Sequence, residues 1–366
     1  MALDGWKEKL FQRYLVWSCR PERVRSYLLN TVKPDLRSAQ RPLDRKVVRA
    51  AALQLELQFY KSPLDYAAAM HHRLAEAVER GANLVSFPEY NSLHLLGLLP
   101  GFEAMEEAYR EQDAGEKPEG SAKESAAEDI TIDALFRYMS PIVKRLVPAI
   151  YGTLAHAYGI YVMAGSYILA DGGNLVNRSF LFGPDGKLVG SHDKVHLMVI
   201  EKEWDLVRGS SFPVYDTALG RLALPVCMDA TYYETFRAFE AGDADIALLP
   251  IANMESYNYW LALRGVWPRV QESPVYGVKS ALVGSVAGMQ FTGRAGIFAP
   301  LELTPREDGI LDEVEPFDKD AIALADLNLE ALHELKREHP WRDRNPALYK
   351  RYFPRLYLET REQESR

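Results

Sequence analysis

A chain of 366 residues, 48% hydrophobic and 26% charged, has the composition of a folded globular protein with room for a large core, which excludes a disordered or membrane-embedded polypeptide. A formal net charge of -8 and a pI near 5.6 argue against nucleic acid as the main partner, since polyanion binding calls for a concentrated positive surface and no basic stripe is present. Two cysteines, Cys19 and Cys227, cannot build a disulfide framework, so a reducing cytoplasmic setting is the simplest expectation.

Residues 1–45 read as a helical extension ending in a proline-bearing loop. Charges break up its apolar residues every three or four positions, leaving no signal segment and no membrane span. Its amphipathic stripe is expected to face the protein's own core rather than a partner or a membrane surface. The main domain is expected over 46–340. VVRAAALQLEL (47–57) alternates as a strand, and a helix follows over about 63–80. ANLVSFPEY (82–90) is a short buried strand stopped by Pro88 and Glu89, which delivers a carboxylate at its C-terminal end. Residues 102–128, acidic and rich in Gly, Ala, Ser and Lys, read as a surface insertion that either shapes substrate entry or is simply a disordered surface segment, with entry favoured.

GIYVMAGSYIL (159–169), RSFLFGP (178–184) and KLVGSHDKVHL (187–197) form a meander, with Pro-Asp-Gly turning the last two. RLALPVCMD (221–229), a helix at 231–242, ADIALLP (244–250), a helix to about Gln271 and ALVGSVAG (281–288) alternate as a layered α/β sheet does. AGIFAP (295–300) and DAIALADLNL (320–329) complete the strands before a helix at 329–337. The aromatic, proline-bearing tail, 341–366, is expected to wrap a neighbouring surface at an interface.

Cys227 ends an apolar strand just before a helix, a place where N–H groups are expected to lower a thiol pKa. A free cysteine is equally at home as a small buried hydrophobe, so the context must decide. His192 and His196 lie at even spacing from Lys194 and share its face of a hairpin, which leaves open a Cys–His mechanism of the acyltransferase or protease kind. The histidines are otherwise scattered, and adjacent His71 and His72 diverge on a helix, so neither metal nor cofactor is expected.

Glu89 in LVSFPEY, Lys194 in SHDKVHL and Cys227 in LPVCMDATYYETFRAFEAGDADIALLP occur in the order that resembles the nitrilase superfamily, the carbon-nitrogen hydrolases, over about residues 46–335. The third block is the most specific, with Asp229, Glu234, Arg237 and Gly-Asp-Ala-Asp at 242–245. The resemblance implies a four-layer α-β-β-α sandwich and a homodimer or larger homo-oligomer. It implies Cys227 as nucleophile, Glu89 as base and then acid with a pKa raised by burial, and Lys194 with the Met228 N–H as an oxyanion pocket. Glu201, three residues before Trp204, is the second carboxylate, with Glu203 as its competitor; Tyr90, Asn253, Met254 and Tyr257 are candidates to meet the substrate. Asp229 and Glu234 would cap or anchor the elbow helix.

Two departures from the family pattern, Met228 where an aromatic is common and Tyr233 where proline is usual, bear on the pocket. Aspartate at the second position after the cysteine looks like amide and carbamoyl hydrolases. The favoured activity is therefore that of an amidase on a small molecule. A nitrilase, an N-carbamoyl hydrolase or an acyltransferase using the same thioester are the alternatives, with a non-enzymatic binding protein further off.

Overall fold

Period-two alternation along the strands sets up three apolar clusters. In β1 (Val47–Glu56), Val48, Ala50 and Ala52 enter one cluster while Ala51, Leu53 and Leu55 enter another on the opposite face. In β8 (Ile246–Ile251), Ile246 and Leu248 join the first of these, and Ala247, Leu249 and Ile251 a third. Strands buried on both faces are near-continuous apolar runs, which is what the sequence shows. The structure, a computed structural model, describes residues 13–33, 43–102, 106–107, 131–286, 288–338 and 345–364.

The remaining strands are β2 (Leu84–Ser86), β3 (Tyr161–Asp171), β4 (Asn174–Phe182), β5 (Leu188–Asp193), β6 (Val214–Thr217), β7 (Gly220–Ala223), β9 (Tyr276–Val286), β10 (Met289–Phe291), β11 (Gly296–Phe298), β12 (Ile310–Glu313) and β13 (Ala321–Asn328). Their central order is β5-β4-β3-β2-β1-β9-β8-β7-β6. β1 pairs with β13 from Val47 to Gln54 and with β2 at Ala50 to Ala52, then passes to β9 at Gln54 to Glu56. That exchange lets one hydrogen-bonded set fold into two facing layers. Val48, Leu84, Met163, Ile246, Val278 and Ile297 fill the space between them.

Helices α1 (Pro21–Thr31), α2 (Pro63–Glu79), α3 (Ile132–Val147) and α4 (Thr153–Tyr158) cover one outer face through Leu28, Leu74, Leu146 and Leu154. Each such leucine contributes roughly 1.5–3 kcal/mol by leaving water. After α5 (Val199–Glu203), α6 (Tyr233–Ala241) and α8 (Val266–Glu272) cover the other face through Phe236, Phe239, Val266 and Val270; α7 (Tyr259–Leu263) precedes α8. The architecture is a four-layer α-β-β-α sandwich, as expected. No helix among the described residues is long and apolar enough to cross a membrane.

Several elements differ from the sequence reading. α3, a π-helical turn over Pro148–Gly152 and α4 occupy 132–158, where Pro141 and Pro148 masked a spaced apolar face. β4 begins at Asn174 rather than 178, because Gly172 and Gly173 both take positive φ and turn the chain straight out of β3. The helix expected to reach Gln271 breaks at Gly265 into α7 and α8, β9 starts five residues before its expected start, and β6, β10 and β12 were not foreseen. The tail is a helix, α10 (Pro346–Glu364), after α9 (Leu329–Glu338). Asn345 Oδ1 accepts the Leu348 N–H at 3.1 Å and starts α10 despite its aromatic content and Pro354. Most of the 102–128 insertion lies outside the described residues.

Candidate active site

Loops from the two layers meet at the seam. After β2, the turn carrying Glu89 is pinned to β3: Phe87 N donates to Met163 O at 2.9 Å, Ser166 N to Pro88 O at 3.2 Å and Asn91 N to Ser166 O at 2.9 Å. Gly165 permits this approach, since a Cβ there would stand 2.1 Å from the Pro88 carbonyl oxygen at a φ of +76°. Tyr90 takes a φ of 55°, a conformation rare for a bulky residue, and Glu89 is fully buried.

Lys194 follows β5 and is also fully buried. Its N–H donates to Asn177 O at 2.9 Å, and its carbonyl accepts from Gly209 N at 2.8 Å. Its ammonium donates to Glu89 Oε1 at 2.9 Å and to Glu201 Oε2 at 2.8 Å. Asn177 Nδ2 bridges Glu89 Oε1 at 2.9 Å and Glu201 Oε1 at 3.1 Å, and the Tyr90 hydroxyl donates to Glu201 Oε1 at 2.6 Å. Glu201 Oε2 also accepts the Met198 N–H at 2.8 Å, which caps α5. Glu203 is exposed to solvent and takes no part in this network, and Tyr90 lies behind Glu201 with no exposed surface.

Cys227 comes from the other layer, just beyond β7, and opens a 3₁₀ turn over Cys227–Thr231 at a φ of 44°. Beneath it Asp229 accepts from the backbone N–H groups of Val226 at 3.0 Å, Val195 at 3.1 Å and His196 at 2.9 Å. His192 Nε2 at 3.1 Å and His196 Nδ1 at 3.0 Å complete its shell. Asp229 therefore ties the cysteine elbow to the residues that follow Lys194. Both imidazoles are engaged with it, and among the described residues neither is hydrogen-bonded to Cys227, so the Cys–His arrangement finds no contact. Glu234 meets the tail instead, accepting the Tyr357 hydroxyl at 2.8 Å, and Arg237 pairs with Glu240 at 2.6 Å.

Burial raises the Glu89 pKa to about 7, against the opposing charge of Lys194 and with Glu201 adding to the rise. For Lys194, burial disfavours the ammonium, but the charges of Glu89, Cys227 and Glu201 outweigh it and hold its pKa above the ordinary lysine value. Burial pushes the Cys227 thiol well up, Glu89 pushes it further, and Lys194 and the Ala252 N–H only partly oppose them. This corrects the expected lowering: the turn after Cys227 is short, and desolvation wins. Burial of Asp229 is outweighed by the hydrogen bonds from His192 and His196, which hold it below the usual carboxylate range. Glu89 Oε2 forms no hydrogen bond of good geometry among the described residues, and the thiol is a hydrogen-bonding neighbour of this carboxylate.

A cavity of about 500 Å³ opens onto half-buried Cys227, whose Sγ lies 3.8 Å from Asn253 Oδ1. Met228, Asn253, Met254 and Tyr257 line it; Tyr90 and Glu203 do not. Asn177 was missed by the sequence reading. It shares the inward face of β4 with Ser179 and Leu181, but the strand was expected to start one residue after it.

Fold and buried polar centre together define an enzyme built on the α-β-β-α sandwich. Residues 49–300 match the family model described as carbon-nitrogen hydrolase. The chain is 22% identical over 296 residues to a probable hydrolase, YhcX, of Bacillus subtilis, covering 79% of this chain but only 52% of that protein, about half its length. It is 24% identical over 314 residues to omega-amidase NIT2 of Homo sapiens, covering 82% of this chain and 96% of that one. An amidase structure from Nesterenkonia sp. AN1, with acrylamide added at its active-site cysteine, superposes with a TM-score of 0.58 at 19% identity, covering 83% of this chain and 99% of that one. The chain belongs to the carbon-nitrogen hydrolase family, the nitrilase superfamily.

Proposed function

We propose that the chain is a small-molecule amidase working through a thioester on Cys227. The observation that carries this reading is the buried Glu89–Lys194–Glu201 network beside a thiol held at positive φ. A carboxylate with a pKa of about 7 is suited to take the thiol proton as Sγ attacks the amide carbon, then to give it to the departing amine as the C–N bond breaks. Water, losing a proton to Glu89, then adds to the thioester carbon; the acid leaves and the thiol recovers its proton. Two of the three Lys194 N–H donors are held by carboxylates, and the third, with the Met228 N–H, is available to the developing oxyanion. Asn177, Tyr90 and Glu201 support the orientation of Lys194 and Glu89, while Asn253, Met254 and Tyr257 offer contacts to the rest of the substrate.

The preference for an amide over a nitrile or carbamoyl compound rests on Asp229 in the family pattern. A homodimer or larger assembly, a cytoplasmic address and the division into 1–45, 46–340 and 341–366 belong to the same proposal; light scattering tests the first. Intact-mass trapping across amides, carbamoyl compounds and nitriles tests the chemistry. Wild type should gain an acyl mass with amides and Cys227→Ala should not. Adducts with nitriles or carbamoyl compounds alone would overturn the amidase reading, and no adduct with no hydrolysis would overturn catalysis by Cys227 altogether.

A further inference from the structure

The two faces of the N-terminal segment are unlike. Leu15, Cys19, Val24 and Leu28 are buried in the apolar cluster that α1 and α2 cover. On the other face Tyr14 is 57% exposed and Trp17 51%, their ring centres 6.2 Å apart, with Val16 exposed beside them. The buried stripe explains how the segment is held to the domain. It does not explain two large aromatic rings left together in water, which mark a surface that another molecule covers.

Charge at the same place is a second, independent observation. A groove of about 810 Å³ is lined by Val16, Trp17 and Pro21 and by Arg20, Arg23 and Arg145, the last from the final turn of α3. Arg23 lies over the Trp17 ring at 5.8 Å, which keeps ring and guanidinium together. None of the three arginines is ion-paired with a carboxylate among the described residues, although Glu22 also lines the groove. Arginines of the sheet and of α8 are matched: Arg49 meets Asp326 at 3.0 Å, Arg221 meets Asp243 at 3.1 Å and Arg269 meets Glu272 at 2.9 Å. In a chain of net charge -8, residues 13–33 carry Arg13, Arg20, Arg23, Arg25 and Lys33 against Glu22 alone. Exposed charges act over about 8 Å at physiological salt, so these cations set the local potential against the sign of the whole.

We propose that this groove docks an acidic peptide segment of a partner protein, one with an apolar side chain among its carboxylates. Guanidinium forks match carboxylates in bidentate geometry, and three unpaired forks fix the sign of the partner. Trp17, Val16 and Pro21 seat the apolar side chain, in the manner of the tryptophan and arginine anchors that dominate protein interfaces. A bilayer surface is flat and would bridge the hollow, whereas a peptide segment fills it.

Fluorescence anisotropy of a labelled dodecapeptide, with glutamates flanking a central Leu-Phe pair, titrated with the full chain tests this beside the same peptide carrying glutamine for glutamate. The acidic peptide should bind about 10-fold or more tightly than the glutamine peptide, with a gap that narrows as salt rises. Arg23→Glu combined with Arg145→Glu should close that gap, and Trp17→Ala should weaken the acidic peptide about 5-fold or more. Arg306→Glu, at an exposed arginine of another loop, should change nothing. If the double variant does not fold, Arg23→Gln takes its place. Equal binding of the two peptides, binding that the groove variants leave unchanged, or the same loss from Arg306→Glu would overturn the site. Attachment to phosphatidylserine vesicles that the groove variants abolish, without peptide binding, would replace the peptide by a membrane surface. A drop in mass by light scattering in the groove variants would show instead that a second copy of the chain covers the groove. No readout here uses hydrolysis, so the outcome is separate from that of the amidase reading.

Discussion

Lys194 and Lys279 are both buried in the same sandwich, yet their surroundings are opposed. Lys194 holds two carboxylates at 2.9 and 2.8 Å, and its pKa is raised despite burial. Lys279 has one carboxylate at 3.4 Å, shared with Arg294, and its pKa is lowered. The difference teaches that burial alone does not set the charge of a lysine; the number and closeness of its carboxylates do. A lysine with more anionic neighbours than it needs is a fixed cation, and one with fewer gives up its proton more readily.

The sharpest break in that comparison would come from Lys194→Met. It leaves Glu89 and Glu201 buried without their cation, so denaturant unfolding should show a loss of about 3–5 kcal/mol. A loss below about 1 kcal/mol would mean the network is not what holds the site. Glu89→Gln removes one of the two carboxylates, the one proposed as base, and should lower kcat/KM by roughly 10²–10⁴ while leaving Cys227 in place. Lys279→Met should stay within about 1 kcal/mol of wild type, because Glu313 keeps Arg294 and a desolvated cation is removed. A cost near that of Lys194→Met would erase the distinction.

Two pH measurements sharpen it further. With Glu89 needed in its ionised form, kcat/KM should fall as pH drops through about 7, a limb that belongs to the coupled site as a whole. In alkaline unfolding the two lysines should act with opposite sign. Lys194, raised in the folded state, lends stability that is complete below the ordinary 10.5 and lost as pH climbs through its higher folded value. Lys279, lowered, binds fewer protons folded than unfolded, so its contribution improves as pH rises towards 10.5, and Lys279→Met should remove that slope.

How far the sequence reveals such sites depends on what kind of contact makes them. Glu89 and Cys227 end apolar runs, and a strand end is visible in one dimension. Glu201 and Glu203 are not separable from sequence, because α5 lasts only five residues and it is the cap on Met198 that turns Glu201 inward. Asn177 was hidden by Gly172 and Gly173, whose tight turn lets β4 begin earlier than its apolar stretch suggests. The thiol pKa was read with the wrong sign, since helix-end N–H groups are visible in sequence and the desolvation that overrides them is not. Lys279 drew no notice at all: inside ALVG-like strand sequence it looks like an edge residue, and only the pairing of β9 with β8 and β11 buries it.

The strand exchange at β1 has a dynamic consequence. β1 hydrogen-bonds to β2 and β13, then hands over to β9, so it is a shared member of both layers. Glu89 and Lys194 ride on one layer, and Cys227 on the other. Local opening that parts the layers would strip amide-hydrogen protection from both sheets together and would separate Glu89 and Lys194 from Cys227 in the same event. Native-state hydrogen exchange followed beside activity should therefore show the two falling together at this seam.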